Sequence, residues 1–245
     1  MKTIKQIHNE LIDWTKEWFD KNSSEGTAVL GMSGGKDSTI TAALLIEALG
    51  ANRVIGVMMP DNNQGINDAD KICQYLETNC IKCPIDRAVA AVNSAVAEHL
   101  GVTSQTIQNI PPRIRMTMLY AIAQSVKDGR VINTCNKSET TIGYETLWGD
   151  AVGDVSLLGG LTVTQILELG DYMGLPKEWV HKTPDDGLPF SSPDEEKLGF
   201  TYENLDKAIK DDIEDIPAEE FKRMCIRNAN SEFKRNIINI PTYKP

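Results

Sequence analysis

The sequence predicts an α/β fold, a mostly parallel, doubly wound sheet flanked by helices, with a helical extension at its C-terminal end. Three observations predict it. Short apolar runs at residues 27–32, 53–59 and 130–134 alternate with stretches of helical periodicity. A Gly/Ser-rich loop joins the first run directly to a helical pattern, which is how such sheets present their ligand-binding edge. The 245 residues are enough to bury one full core, without repeats or low-complexity tracts.

Taken in order, Ile4, Ile7, Leu11, Trp14 and Trp18 recur at helical spacing and predict an amphipathic first helix, suited to a core or subunit contact. Residues 27–32 read as the first strand, and residues 37–49 as a helix closed by Gly50. A second buried strand spans 53–59 and stops at Pro60; a helix follows over 67–78. Residues 83–85 read as a short buried strand, 88–99 and 113–126 as helices, and 130–134 as another strand. Residues 183–193 hold Pro184, Pro189 and Pro193 among Asp and Ser, which is loop chemistry suited to a lid. Helices are expected at 202–210 and 217–228, before a basic pair, Lys234 and Arg235. The expected organisation is one domain over 1–245: a nucleotide-binding core at 27–182, a lid at 183–200, and C-terminal helices and tail at 201–245.

The net charge of −10 disfavours a nucleic-acid partner, whose phosphates need a basic face. No apolar run is long enough to span a bilayer, and the first residues lack a signal-peptide core, so a cytoplasmic protein is expected. Five cysteines, an odd number, read as reduced thiols, and the lone Cys80-x-x-Cys83 as structural.

The chemistry begins at Gly31-Met32-Ser33-Gly34-Gly35-Lys36-Asp37-Ser38. A strand that turns through small residues into a helix offers unpaired backbone N–H groups to an anion, and Ser33 and Ser38 add hydroxyls. Gly31 to Gly35 is one residue short of a Walker A loop, and Asp37 stands where that loop has a hydroxyl. A carboxylate beside a polyphosphate needs a bridging cation, so Asp37 implies a divalent metal. Past the 130–134 strand, Thr134 can meet a nucleotide. Glu139 is either a second carboxylate on that metal or a solvated helix face.

Ser33-Gly34-Gly35-x-Asp37-Ser38 resembles the loop of the ATP pyrophosphatase (PP-loop) superfamily, whose fold is that of the adenine nucleotide alpha hydrolases. Asn136-Lys137-Ser138-Glu139, Gly143-Tyr144-x-Thr146-x-x-Gly149-Asp150, Asn109-Ile110-x-x-Arg113-x-Arg115-Met116 and Asp194-Glu195-x-x-Leu198-Gly199-Phe200-Thr201-Tyr202 extend the resemblance to the ammonia-dependent NAD synthetases. The resemblance implies adenylylation of the carboxylate of deamido-NAD by ATP, then attack by ammonia to give NAD, AMP and pyrophosphate. It implies Gly31, Met32, Ser33, Gly34, Gly35, Lys36, Asp37, Ser38, Thr134, Lys182 and Asp185 at ATP, with Mg2+ on Asp37 and Glu139. Arg113, Asp154, Phe233 and Lys234 fall to deamido-NAD, in a homodimer that uses free ammonia and no catalytic nucleophile.

The sequence also departs from that pattern. Leu147 and Val163 stand where a basic residue is usual, Asp185 where Ser or Thr is, and Phe233 where His is; Lys36 adds a charge within the loop. Each lost charged contact weakens binding by about 1–3 kcal/mol if it faces the ligand. Three rival readings stay open: a tRNA-thiolating PP-loop enzyme, which Cys80 and Cys83 would suit; an amidotransferase acting on another acid; and a nucleotide-binding homologue impaired in catalysis.

Overall fold

The structure is a computed structural model, described over residues 2–61, 66–182 and 193–235. The elements follow in chain order as α1 (Ile4–Asn22), β1 (Ala28–Gly31), α2 (Lys36–Leu49), β2 (Val54–Met58), α3 (Ile66–Tyr75), β3 (Asn79–Lys82), α4 (Asp86–Ala97), α5 (Ser104–Gln124) and β4 (Arg130–Asn133). Then come α6 (Lys137–Ile142), β5 (Val155–Ser156), α7 (Val163–Tyr172), α8 (Lys177–Val180), α9 (Asp194–Leu198), α10 (Tyr202–Ile209), α11 (Ala218–Asn230) and α12 (Glu232–Arg235).

The five strands lie in the order β3-β2-β1-β4-β5. All pairs are parallel, with Val29 beside Ile55 on one side and Val131 on the other, and Ile132 beside Val155. The predicted doubly wound sheet is therefore present. Strand alternation divides its two faces: Ala28 and Leu30 join Phe19, Ile40, Leu44 and Ile166, whereas Val29 joins Val57, Ile85, Met116, Leu119 and Val131. Helices α1, α2 and α7 cover the first face, and α4 and α5 the second. A third cluster, built on Ile142, Leu198, Phe200, Tyr202, Leu205 and Met224, seats α9, α10 and α11 against α6.

Several sequence expectations need correction. Helix α5 starts at Ser104, capped by the Thr103 hydroxyl, and runs through Pro111 and Pro112. Proline normally ends a helix because it lacks an N–H and crowds the preceding turn; here burial of Ile110, Pro111, Met116 and Leu119 offsets that. The strand expected at 83–85 is β3 at Asn79–Lys82, an edge strand with Asn79, Ile81 and Lys82 exposed and so no continuous apolar signal. Helix α3 ends at Tyr75, not 78. In α1 the buried line is His8, Ile12, Thr15 and Phe19, and Trp14 is exposed. The cysteines are not all free thiols: Cys73 and Cys80 form a disulfide that ties α3 to β3, leaving Cys83, Cys135 and Cys225 unpaired.

The lid expected over 183–200 lies outside the described residues as far as 192; beyond that, Asp194–Leu198 is a helix with Asp194 and Leu198 buried. No helix among the described residues is long and apolar enough to cross a membrane.

Candidate active site at the carboxyl edge of the sheet

Strand order reverses between β1 and β4, and a reversal of this kind opens a crevice at the carboxyl ends of the strands. The two constellations read from the sequence leave the sheet at this crevice. The Met32–Gly35 turn follows β1, and Thr134 to Asn136 follow β4.

The first turn is shaped by its own small residues. Gly34 sits at φ +82°, where a side chain would be strained. Gly35 caps α2 without a side chain, so the first helical N–H groups point into the crevice. Ser33 Oγ accepts from Gly35 N–H at 3.2 Å and lies 3.1 Å from Ser38 Oγ. Ser38 and Thr39 donate to the Gly35 carbonyl at 3.1 and 2.8 Å, tightening the first turn of α2.

Asp37 is the electrostatic centre. Its Oδ2 accepts from Lys36 Nζ at 2.9 Å, and its Oδ1 from Asn136 Nδ2 at 3.1 Å. Asn136 also opens α6 through a capping box. Its side chain accepts from Glu139 N–H at 3.0 Å, and the Glu139 carboxylate accepts from Asn136 N–H at 3.3 Å. One asparagine thus holds both carboxylates, one from each side of the crevice. Glu139 is thus half-buried and hydrogen-bonded to Asn136 rather than on a solvated helix face.

Burial first, and then the neighbouring Asp37 charge, push the Glu139 carboxyl up to about 8. For Lys36, burial alone would lower the ammonium's pKa, but Asp37, Glu139 and Asp194 outweigh it and hold the group above its ordinary range. The sign for Glu139 follows from linkage. Its folded pKa lies above the unfolded value, so the folded state holds the proton longer. Its contribution to stability is fully present below about 4.5 and is lost as pH rises to about 8. We therefore expect denaturant midpoints, without added divalent ions, to fall across that window, and Glu139→Gln to remove much of the slope. A slope unchanged in the variant would contradict the assignment.

Cys135 lies beside this pair, yet burial and the Glu139 and Asp150 charges hold its thiol well above its usual range. It donates to the Asp150 carbonyl at 3.1 Å. A protonated thiol so placed is a poor nucleophile.

The remaining predicted residues divide into two sets. Lys182 Nζ donates to Asp68 at 2.7 Å and lines a cavity of about 660 Å³ together with Lys36, Val163 and Tyr202. Val163 therefore faces the space where the sequence departs from the family. Asp185 lies outside the described residues.

The other set braces the 143–150 segment. Arg113 Nε donates to the Leu147 carbonyl at 3.1 Å, and Lys234 Nζ to the Gly143 and Glu145 carbonyls at 2.8 and 2.6 Å. Thr146 donates to Asn109 at 3.0 Å. Gly143, at φ +63°, ends α6, and a Cβ there would meet Ser231 at 2.2 Å. Asp154 accepts from Val131 N–H at 2.7 Å and from the Tyr120 hydroxyl at 3.4 Å. Phe233 is exposed. Two site residues went unrecognised in the sequence as functional. Both stand in motifs that carry the resemblance but were given no role: Asn136 was findable, because Asn-x-x-Glu is a capping-box spacing that fixes both side chains, whereas nothing local to Tyr202 marks its hydroxyl.

Comparisons with known proteins place the chain in a family. The family model described as NAD synthase matches residues 7–238. An NH(3)-dependent NAD(+) synthetase of Methanococcoides burtonii is 33% identical over 247 residues, covering 95% of this chain and 93% of the relative. Among solved structures, an NMN synthetase from Francisella tularensis superposes with a TM-score of 0.88 at 27% identity, over 100% of this chain and 99% of that one. An NH3-dependent NAD synthetase from Campylobacter jejuni does so with a TM-score of 0.81 at 26% identity, over the whole of both chains. With the family matched across nearly its whole length and the strand-end site assembled, the chain belongs to the NAD synthase family.

Proposed function

We propose that this chain is an ammonia-dependent ligase that amidates deamido-NAD to NAD at the expense of ATP, through an adenylylated carboxylate. The observation that carries the reading is the carboxylate pair, Asp37 and Glu139, joined by Asn136 directly beneath the phosphate-binding turn. The backbone donors of residues 31–38 would hold the ATP phosphates, with Thr134 and Lys182 also at the nucleotide.

The donor set fits Mg2+. Asp37 and Glu139 supply hard oxygen ligands, and among the described residues no group of three or more His, Cys, Asp or Glu makes an all-protein cage. Magnesium bound by two carboxylates, with phosphate oxygens and waters completing its shell, is its common arrangement. When bound, the ion would offset charge on the departing pyrophosphate. The protein's own contribution is positioning and electrostatics: turn N–H groups and Lys36 stabilise the same developing charge, and the crevice aligns the carboxylate oxygen with the α-phosphorus. Ammonia then attacks the acyl carbon and AMP leaves, so no side-chain nucleophile is needed.

Arg113, Asp154, Phe233 and Lys234 are proposed for the deamido-NAD side of the crevice, at the interface of a homodimer in the cytoplasm. Residues 183–200 are proposed as the cover that keeps water from the acyl adenylate. The single-domain division, with a core at 27–182 and C-terminal elements from 201, is part of the same reading. The test is NAD formation from ATP, deamido-NAD and ammonium, with magnesium added or chelated. Formation that requires all four supports the reading, and its absence with a folded protein contradicts it.

Two observations favour a second substrate. The Francisella protein, named for making NMN, shares this fold at a TM-score of 0.88. In addition, Arg113, Asp154 and Lys234 are already engaged in internal hydrogen bonds. The mononucleotide acid would undergo the same chemistry without needing a second nucleotide subsite. Its kcat/KM relative to that of deamido-NAD decides between them.

A further inference from the structure

Tyr202 is buried, 4% exposed, as the first residue of α10, yet among the described residues its hydroxyl has no hydrogen-bond partner. A buried phenol usually finds one, and an exception calls for a reason. Its position is fixed from several sides. The ring packs in the cluster of Ile142, Leu198, Phe200 and Leu205, and its own N–H donates to Glu195 at 2.8 Å. Tyr202 also lines the 660 Å³ cavity, and Lys36 Nζ lies over its ring, 5.9 Å from the centroid. Electrostatically the hydroxyl neighbours Glu139, Asp194, Tyr144 and Asp37, the group around the carboxylate pair.

These facts join in one explanation. Tyr202 and Lys36 line one cavity, and Lys36 belongs to the loop proposed above to hold the ATP phosphates. Lys36 rests on Asp37 at 2.9 Å and on the ring face, two contacts that a more highly charged anion can outbid.

We propose that Tyr202 is a further substrate-contacting residue. Its hydroxyl donates a hydrogen bond to the pyrophosphate leaving ATP, and Lys36 turns from Asp37 and the ring to meet the same group. This rests on the adenylylation reading above and names its leaving-group site. In that step the bond between the α-phosphorus and the bridging oxygen breaks. Its electron pair stays on the pyrophosphate oxygen while the substrate carboxylate oxygen bonds to phosphorus. Tyr202 lends a hydrogen bond and keeps its proton, so no further reactant is needed. A fixed donor waiting for that oxygen is charge stabilisation prepared in advance.

The test uses Tyr202→Phe in the full chain, with magnesium pyrophosphate as the probe by calorimetry and pyrophosphate–ATP exchange as the kinetic readout. Removing an unpaired buried hydroxyl should leave the melting midpoint equal or higher. Pyrophosphate binding should weaken by about 10- to 100-fold, the range for a hydrogen bond to a charged group. Exchange should slow by a similar factor with KM for the acid substrate unchanged. Lys36→Met should weaken pyrophosphate binding as well. Wild-type-like pyrophosphate binding in Tyr202→Phe would overturn the inference, as would a fall in stability that tracks the loss of binding, or no binding to the wild type. Calorimetry contains no acid substrate, so failure to amidate deamido-NAD would sink the proposed function without deciding this one.

Discussion

Asp37→Asn is expected to lower NAD formation by about 10²–10³-fold, the usual size of losing one charge-stabilising group at a reacting centre. It is also expected to lower stability by about 3 kcal/mol, because Lys36 is 6% exposed and Asp37 is its hydrogen-bonded partner. The two effects have separate causes and can be separated. In Asp37→Asn/Lys36→Met no buried ammonium is left without its partner, so the double variant should regain most of the stability and none of the activity. If activity returned with stability, Asp37 would be a structural counter-ion and its role at the metal would be lost. Asp37→Asn that retained at least a third of wild-type turnover would contradict the site directly.

The second large effect lies away from the reacting atoms. Asp206, 2% exposed on α10, accepts from Ser138 Oγ at 2.5 Å and from both Thr164 N–H and Thr164 Oγ1 at 2.7 Å. Ser138 Oγ in turn accepts from Val163 N–H at 3.1 Å. One carboxylate on α10 therefore ties that helix to the starts of α6 and α7, and these three helices carry Tyr202, Glu139 and Val163. Asp206→Ala leaves three donors without their acceptor, the buried Ser138 hydroxyl and the half-buried Thr164 N–H and hydroxyl, and we expect a loss of about 3 kcal/mol. In a domain of this size that is a fall in Tm of roughly 10 °C. Asp206→Asn keeps one acceptor oxygen and should lose about half as much. Thermal melts of both variants check this, and an Ala variant within 1 kcal/mol of wild type, by ~0.5–1 kcal/mol per-bond standards, would show that water replaces the carboxylate.

What could be read from the sequence followed from how locally each feature is determined. The central strands were legible because β1, β2 and β4 are buried on both faces and read as unbroken apolar runs. Strand β3 was not, because at the edge its exposed residues carry no such run. Helix α5 was legible only after Pro112, since local rules forbid what the burial of Ile110 and Pro111 permits. The phosphate turn could be read whole because strand, glycines and helix start are contiguous. The pairing of Asp37 with Glu139 was offered by the sequence as one of two readings and by the resemblance; its structural basis is that β1 and β4 are neighbours, a fact of sheet order rather than of spacing.

The resemblance supplied residues for the acid substrate, and the structure gives several of them a second task. Arg113 and Lys234 both hold the 143–147 segment through its carbonyls, so residues far apart in sequence brace one stretch of chain. Their roles toward a ligand remain part of the proposal. The Cys73–Cys80 disulfide lay beyond sequence reasoning, because Cys80-x-x-Cys83 drew attention to the wrong partner.

The central claim is that a carboxylate attacks the α-phosphorus of ATP. The most direct measurement starts from deamido-NAD carrying ¹⁸O in both carboxylate oxygens, supplied with ATP, magnesium and ammonium, and reads the products by mass spectrometry. An adenylylated intermediate leaves one labelled oxygen on AMP and none in pyrophosphate, with one AMP formed for each NAD. Label in orthophosphate, or ADP in place of AMP, would mean attack at the γ-phosphorus and would contradict the account.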